Sequence, residues 1–168
     1  MSLSMYQISV PVFQRMMTNL TAVLEKAEAH AAAKKIEPEV LINARLAPDM
    51  FPLKRQVQLV SDFAKGAAAR LAGQEIPKWE DNEASFADLK GRLKKSIDFL
   101  AQLKPADIDG SETRDINLTI AKKPVTLKGQ AYLLTHAFPH FFFHVTTAYD
   151  ILRHNGVEIG KRDYLGAF

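Results

Sequence analysis

The chain contains no cysteine among its 168 residues. This absence excludes a disulfide framework, a thiolate zinc site, an iron–sulfur cluster and a cysteine nucleophile. The sequence also lacks a glycine-rich phosphate loop, a GxSxG nucleophile elbow and an HExxH motif. The usual signatures of nucleotide binding, serine hydrolysis and zinc proteolysis are therefore missing.

Neither sign of charge dominates, since 22 Lys and Arg face 19 Asp and Glu for a net charge of +3. The small basic excess is spread along the chain, so no nucleic-acid partner is predicted. The longest nearly uncharged stretch, residues 129–149, contains Pro139 and three histidines and is a poor membrane span. The N-terminus has no basic region followed by an apolar run. We therefore expect a cytoplasmic bacterial protein that binds no membrane.

The composition is that of an ordinary globular domain, with 47% hydrophobic and 24% charged residues. A chain of this length buries a core without help from disulfides or a structural metal. No internal repeat or low-complexity tract divides it. We therefore predict one domain over residues 1–168.

Apolar residues recur with the period of an amphipathic helix in several segments. Pro11 lies inside the first segment, which predicts either a helix start near Ser9 or a kink. Pro52 suits the first position of a helix, and Gly73 suits a C-terminal cap. The last segment is apolar on nearly every side, so it is buried from several directions or forms a subunit interface. The predicted helices are residues 4–34, the short 39–45, 52–73, 84 or 85 to 103, and 129–155.

Between residues 115 and 127 the period changes to two, which predicts a short hairpin that turns at Lys122-Lys123-Pro124. A two-stranded hairpin is marginal alone and must lie against another element. The sequence therefore predicts an all-α fold: a bundle of four long antiparallel helices, with a short β-hairpin before the last helix.

His136, His140 and His144 are spaced four residues apart, so a continuous helix places them on one inward face. Neutral imidazole is the commonest metal ligand, and two histidines at this spacing can bind one ion while a second helix completes the site. Pro139 can break the regularity and leave only His140 and His144 in register. Alternatively, backbone carbonyls, buried water or a hydroxyl satisfy the three histidines inside the core.

The second long helix offers Gln56, Gln58 and Asp62 as inward polar residues. Asp62 can act as a carboxylate ligand or as an acceptor for an imidazole N–H. Gln58 and Asp62 share one face, and the alternative places both on an exposed helix surface. Gln56 neighbours the apolar stripe, where a buried role is expected. Arg45 and Arg55 can bind an anionic substrate or serve a structural role.

Several long motifs occur in order along nearly the whole chain: MYQ (5–7), VPVF (10–13), NARLAPDMFPL (43–53), QVQ (56–58), KGAAARLAG (65–73) and FFHVTTAYDILRHNG (142–156). Together they resemble an uncharacterised bacterial family that is catalogued as a domain of unknown function. That family is grouped with the DinB/YfiT-like bundles, a superfamily of four-helix proteins regarded as metalloenzymes.

The resemblance implies an up-down-down-up bundle, often dimeric, with a nickel or zinc ion held by three histidines. Two belong to an HxxxH pair on the last helix that an arginine follows nine residues later, which His140, His144 and Arg153 match. The third ligand belongs to the second helix, where this sequence has no histidine. Gln56, Gln58 or Asp62 would have to replace it, or the site is incomplete.

Two main functions remain open. The first is a metal-dependent transferase or hydrolase for a small molecule, with His140 and His144 as ligands and His136 as a third ligand or base. Superfamily members resemble thiol-dependent transferases and isomerases of this kind. The second is a non-catalytic homodimeric bundle that binds a small apolar ligand or a protein partner. A third is a decayed metal site in which His144 is hydrogen-bonded to Gln56 or Asp62.

Overall fold

The computed structural model describes residues 3–167 and confirms the all-α bundle with its hairpin. Helix α1 spans Met5–Lys34, begins at a Ser4 cap whose hydroxyl accepts from the Gln7 N–H, and continues through Pro11. The alternative start near Ser9 is therefore wrong. Apolar residues at helical spacing, among them Phe13, Met17, Leu20 and Leu24, are buried along one side of α1.

The next two long helices run in the same direction. After the short α2 (Pro38–Ile42), α3 (Leu53–Ala72) follows Pro52 and ends at Gly73, whose φ of 67° is left-handed. The connection then returns to the start of α3, where the Glu83 carboxylate accepts from Gln58, and a Ser85–Asp88 capping box begins α4 (Phe86–Ala101). The prediction that all four helices are antiparallel is thus wrong for α3 and α4. The order is the up-down-down-up arrangement.

A hairpin follows α4, the short α5 (Pro105–Ile108) and a 3-10 turn (Ser111–Thr113). Strands β1 (Asp115–Ile120) and β2 (Lys123–Lys128) pair antiparallel, with Ile120 opposite Lys123. The turn residues Ala121 and Lys122 have φ of 49° and 65°, the conformation that matches the twist of two-residue hairpins. The turn therefore lies earlier than predicted, and Lys123 and Pro124 belong to β2.

The last long helix contains a π-helical segment before its proline. Helix α6 (Gly129–Tyr132) continues into π-helical residues Leu133–Ala137 and then into α7 (Phe138–His154). A proline inside an α-helix removes one hydrogen bond and clashes with the preceding turn. A π segment widens that turn and accommodates Pro139 without ending the helix. It also places His136 in a different helical register from His140 and His144.

The C-terminal segment packs back against α1 through α8 (Lys161–Leu165). The Asn19 side chain donates to the Tyr164 carbonyl, and Lys26 pairs with Asp163 at 2.6 Å. Val157 and Ile159 are buried in the same core cluster as the long helices. No helix within residues 3–167 is long and apolar enough to cross a membrane.

Candidate functional site

A cavity of about 670 Å³ opens between α3, α7 and the segment that precedes α3. Helix α7 packs antiparallel to α3, so the first half of α3 lies beside the middle of α7. The cavity wall is mainly hydrocarbon and contains four polar side chains. The lining residues are Asp49, Met50, Phe51, Gln56, Leu59, Phe63, Pro139, His140, Phe143 and His144.

Side-chain to backbone hydrogen bonds fix the segment that forms one wall of this cavity. Arg45 donates to the Met50 carbonyl, and Gln56 Nε2 donates to the Phe51 carbonyl at 3.0 Å. Arg45, considered above for an anionic substrate, therefore holds the wall. Phe51 and Phe143 remain 55% and 54% exposed. The cavity thus has an apolar mouth and a rigid side.

His144 and Gln56 form the polar pair of the cavity. Nδ1 of His144 lies 2.7 Å from Oε1 of Gln56, and both side chains are buried. Because Gln56 Nε2 donates to the Phe51 carbonyl, the amide oxygen must face His144 and accept. Nδ1 therefore carries the proton, and Nε2 is the nitrogen with a free lone pair. Nε2 has no hydrogen-bond partner among the residues that the structure describes.

Burial, then the neighbouring His140 and Arg55, lower the pKa of His144 from 6.5 to about 4. The imidazole is therefore neutral near pH 7. A neutral ring whose Nδ1–H is held by an amide oxygen offers Nε2 as a hydrogen-bond acceptor, a metal ligand or a base. This contact to Gln56 is one of the two that the decayed-site hypothesis named. The other, to Asp62, is not formed.

Stacked rings continue from the cavity along the cleft between α3 and the last helix. The Phe63 ring is nearly parallel to the His140 and His144 rings, with centroids 4.5 and 5.5 Å away. The centroid of the His136 ring lies 4.6 Å from that of His140 and 5.6 Å from that of Tyr132, on which it stacks. We call these five residues, Tyr132, His136, His140, Phe63 and His144, the aromatic row. The three histidines thus share one cleft, with a phenyl ring against them.

The far end of the aromatic row meets Arg70 of α3. Its Nη1 donates to the Tyr132 hydroxyl at 3.3 Å. Burial, then His140 and Arg70, lower the pKa of His136, so this ring is also held neutral. Arg70 was not singled out in the sequence, because an arginine near a helix end gives no local signal of a partner on another helix.

Gln58 and Asp62 lie away from the cavity, in a charged cluster between α3 and α4. Gln58 is buried and donates to Glu83 at 2.8 Å, and Asp62 accepts from Arg92 at 2.9 Å. The exposed alternative is therefore wrong for Gln58. Of the three residues proposed for the second helix, Gln56 alone reaches a histidine.

Arg92 of α4 is the centre of this cluster. It is 4% exposed and donates to Ser61, Asp62, Asp81, Glu83 and the Glu80 carbonyl. Burial lowers the pKa of Arg92, but the charges of Asp62 and Glu83 raise it by more than burial lowers it. The pKa is therefore above its ordinary value, and the guanidinium stays charged. Arg55 binds Asp81 at 2.5 Å in the same cluster.

The donor set fits the three-ligand metal site poorly. Within residues 3–167, no three His, Asp or Glu side chains form a group that could hold a metal ion. His144 supplies an open nitrogen beside His140, but the Gln56 oxygen accepts from His144, and Gln58 and Asp62 bind other partners. Arg153 is exposed on α7. Metal binding therefore stays a prediction, and no chemical step is derived from it.

Comparisons with known proteins place these features in a family. A family model described as a domain of unknown function, DUF1993, matches residues 5–165. A crystal structure of a DinB family member from Shewanella denitrificans is 43% identical, with a TM-score of 0.89. The match covers 97% of this chain and 92% of that one. No curated protein matches the chain. The chain belongs to the DUF1993 family and has the DinB-like fold.

Proposed function

We propose that this protein binds a small, mainly apolar molecule in the cavity between α3 and α7. The observation that carries the proposal is an open apolar cavity of about 670 Å³ that contains a neutral histidine with an unpaired Nε2. Apolar cavities with one or two fixed polar groups are typical ligand sites. The hydrocarbon wall supplies affinity, and the polar group sets orientation.

The fixed tautomer of His144 defines what the ligand must carry. Because Nε2 has no proton, it accepts a hydrogen bond and favours a ligand with a hydroxyl, amine or other donor. A ligand that is apolar everywhere would bury this nitrogen without a partner, which is unfavourable. The predicted ligand is therefore an apolar molecule with one hydrogen-bond donor.

Fluorescence titration with N-phenylnaphthylamine, an apolar dye with one N–H group, tests the proposal. We expect one saturable site per chain. Phe143→Ser, at the cavity mouth, should weaken binding severalfold, and His144→Ala should weaken it about tenfold, as expected for a lost hydrogen bond. Val40→Ser is the matched control, because Val40 is 59% exposed and does not line the cavity. Absence of saturable binding, or equal affinities in all four proteins, would contradict the proposal.

Metal-dependent transferase or hydrolase activity is the second candidate, which the open Nε2 of His144 beside His140 favours. The chain would supply two nitrogens, and the remaining ligands would come from substrate or solvent. Elemental analysis of untagged protein after loading with nickel or zinc separates the two candidates. One ion per chain that is lost in His144→Ala supports the second candidate. A metal-free protein contradicts it and leaves ligand binding as the remaining candidate.

The homodimer predicted from the sequence stays a prediction.

A further inference from the structure

Arg70 lies at the end of the aromatic row that is farthest from the cavity, and it is a cation without an acidic partner among the described residues. Throughout residues 3–167 it makes no ion pair, and its hydrogen bond goes to the neutral Tyr132 hydroxyl at 3.3 Å. A guanidinium has five N–H donors, so most of the donors of Arg70 remain available. By contrast, the buried Arg92 uses its donors on three carboxylates.

Gly66 sets the position of the Arg70 guanidinium. A Cβ at residue 66 would lie 2.8 Å from Arg70 Nη1 and 4.0 Å from Arg70 Cζ. A glycine inside a helix destabilises the helix relative to alanine, because the glycine backbone loses more conformational entropy on folding. The missing side chain of Gly66 therefore leaves space in which Arg70 folds back along α3 toward the aromatic row.

The aromatic row connects this guanidinium to the cavity. The rings of Tyr132, His136 and His140 follow one another at 5.6 and 4.6 Å, and His140 also lines the cavity. His136 is neutral and half-buried, so it neither repels a cation strongly nor neutralises an anion. The Arg70 guanidinium lies beside Gly66, and the rise along α3 from Phe63 to Gly66 is about 5 Å. One elongated ligand can therefore touch both ends.

We infer that the ligand is an organic anion with an apolar tail: the tail fills the cavity, and a carboxylate binds Arg70 at the other end of the aromatic row. Arginine suits this role because its planar fork pairs with both oxygens of a carboxylate. The inference rests on the proposed function, since it uses the same cavity for the apolar part. It adds a second anchoring residue and the sign of the ligand's charge.

Displacement of N-phenylnaphthylamine by decanoate and by decanol tests the inference on the full chain. The two probes share one alkyl chain and differ in the head group. Decanoate should bind more tightly than decanol, and also more tightly than hexanoate, because the shorter tail fills less of the cavity when its carboxylate lies on Arg70. Arg70→Gln should reduce the decanoate-to-decanol affinity ratio about tenfold or more, the effect of losing a charge-assisted hydrogen bond.

Two further variants keep the test decisive if Arg70→Gln folds poorly. Gly66→Ala retains the charge but displaces the guanidinium, so it should also lower the decanoate-to-decanol ratio. Arg162→Gln removes the same charge from an exposed site on α8 and should leave the ratio unchanged.

The outcomes separate this inference from the proposed function. Dye and decanol binding with no preference for decanoate, or a preference that survives both Arg70→Gln and Gly66→Ala, overturns the anion site and leaves the cavity proposal in place. Failure of the dye, decanol and decanoate to bind overturns both. A decanoate preference lost in both variants and kept in Arg162→Gln supports the inference.

Discussion

Helix α3 carries two polar clusters, and they differ in how completely their groups are paired. In the charged cluster, Arg92 is surrounded by Asp62, Asp81 and Glu83, and Lys65 pairs with Asp62 at 2.9 Å. In the cavity, a neutral imidazole shares one hydrogen bond with an amide and keeps its second nitrogen open.

The difference separates a structural role from a binding role. Charges removed from water are tolerated when acids and bases neutralise each other and all donors are used. The charged cluster satisfies this condition and fixes the connection between α3 and α4. On that connection, the centroid of the Trp79 ring lies 4.2 Å from Lys65 Nζ. In the part of the chain that the structure describes, His144 Nε2 in the cavity has no hydrogen-bond partner, and Arg70 at the end of the aromatic row has no acidic partner. Unused hydrogen-bonding capacity beside an apolar space is where a ligand contributes most.

The strongest test of the comparison is Arg92→Leu. Removal of the guanidinium takes away the one cation that Asp62, Asp81 and Glu83 share, and loss of a buried charge partner usually costs about 3–5 kcal/mol of unfolding free energy. Because the Asp62 and Asp81 side chains are 32% and 40% exposed, we expect the unfolding free energy, measured with urea, to fall by about 3 kcal/mol. Lys94→Leu, at a 73% exposed side chain, should change stability by less than about 0.5 kcal/mol. Equal effects would refute the structural role of the charged cluster.

Acid should affect the cavity through His144. Its folded pKa of about 4 lies below the ordinary 6.5, so the unfolded chain binds the proton more readily between these values. The stabilisation is therefore complete above about pH 6.5 and is lost as pH falls toward about 4, by up to about 3 kcal/mol. Unfolding free energies of wild type and His144→Gln, measured across this range, should diverge as the pH falls, with His140 and Arg55 retained in both. Parallel curves would show that His144 does not titrate as described.

Apart from the control substitutions, the smallest change in unfolding free energy is expected for Gln56→Leu, which is compared with the same substitution at the neighbouring Gln58. Gln56→Leu leaves the His144 Nδ1–H and the Phe51 carbonyl without partners and should cost about 1–3 kcal/mol. The substitution should also weaken the binding of N-phenylnaphthylamine, because the ring of His144 loses its fixed tautomer. Gln58→Leu is the matched substitution in the charged cluster, and it should leave dye affinity unchanged at whatever cost to stability. A loss of dye affinity in Gln58→Leu would show that the two clusters are coupled.

Sequence periodicity predicted the helices well because each apolar stripe is a local property of the chain. The Gly73 cap and the hairpin pattern are likewise encoded within a few residues. The direction of α4 was not predictable in this way, since it depends on the connection over residues 73–85, which Arg92 and Gln58 hold. The role of Arg92 was not predictable either, because its partners come from α3 and from that connection.

For the candidate site, the sequence identified the three histidines and Gln56 but not their individual roles. The π-helical segment before Pro139 changes the register of His136, and a proline alone does not say whether a helix breaks or widens. Arg70 and Gly66 lie in the KGAAARLAG motif (65–73), but the motif assigns no role to either residue, and their relation became visible only from the folded-back side chain of Arg70. A histidine pattern therefore located the cleft without deciding what it binds.

The sequence by itself determined the helical class, the hairpin, the absence of cysteine chemistry and the family. The tertiary structure decided which polar groups are paired, because partners for Gln56, Asp62, Arg70 and Arg92 lie on other elements. Helical periodicity states which face of a helix is buried, but it does not state which neighbour that face meets. Among residues 3–167, that choice of neighbours leaves His144 Nε2 without a hydrogen-bond partner and leaves Arg70, which binds the Tyr132 hydroxyl, without an acidic partner.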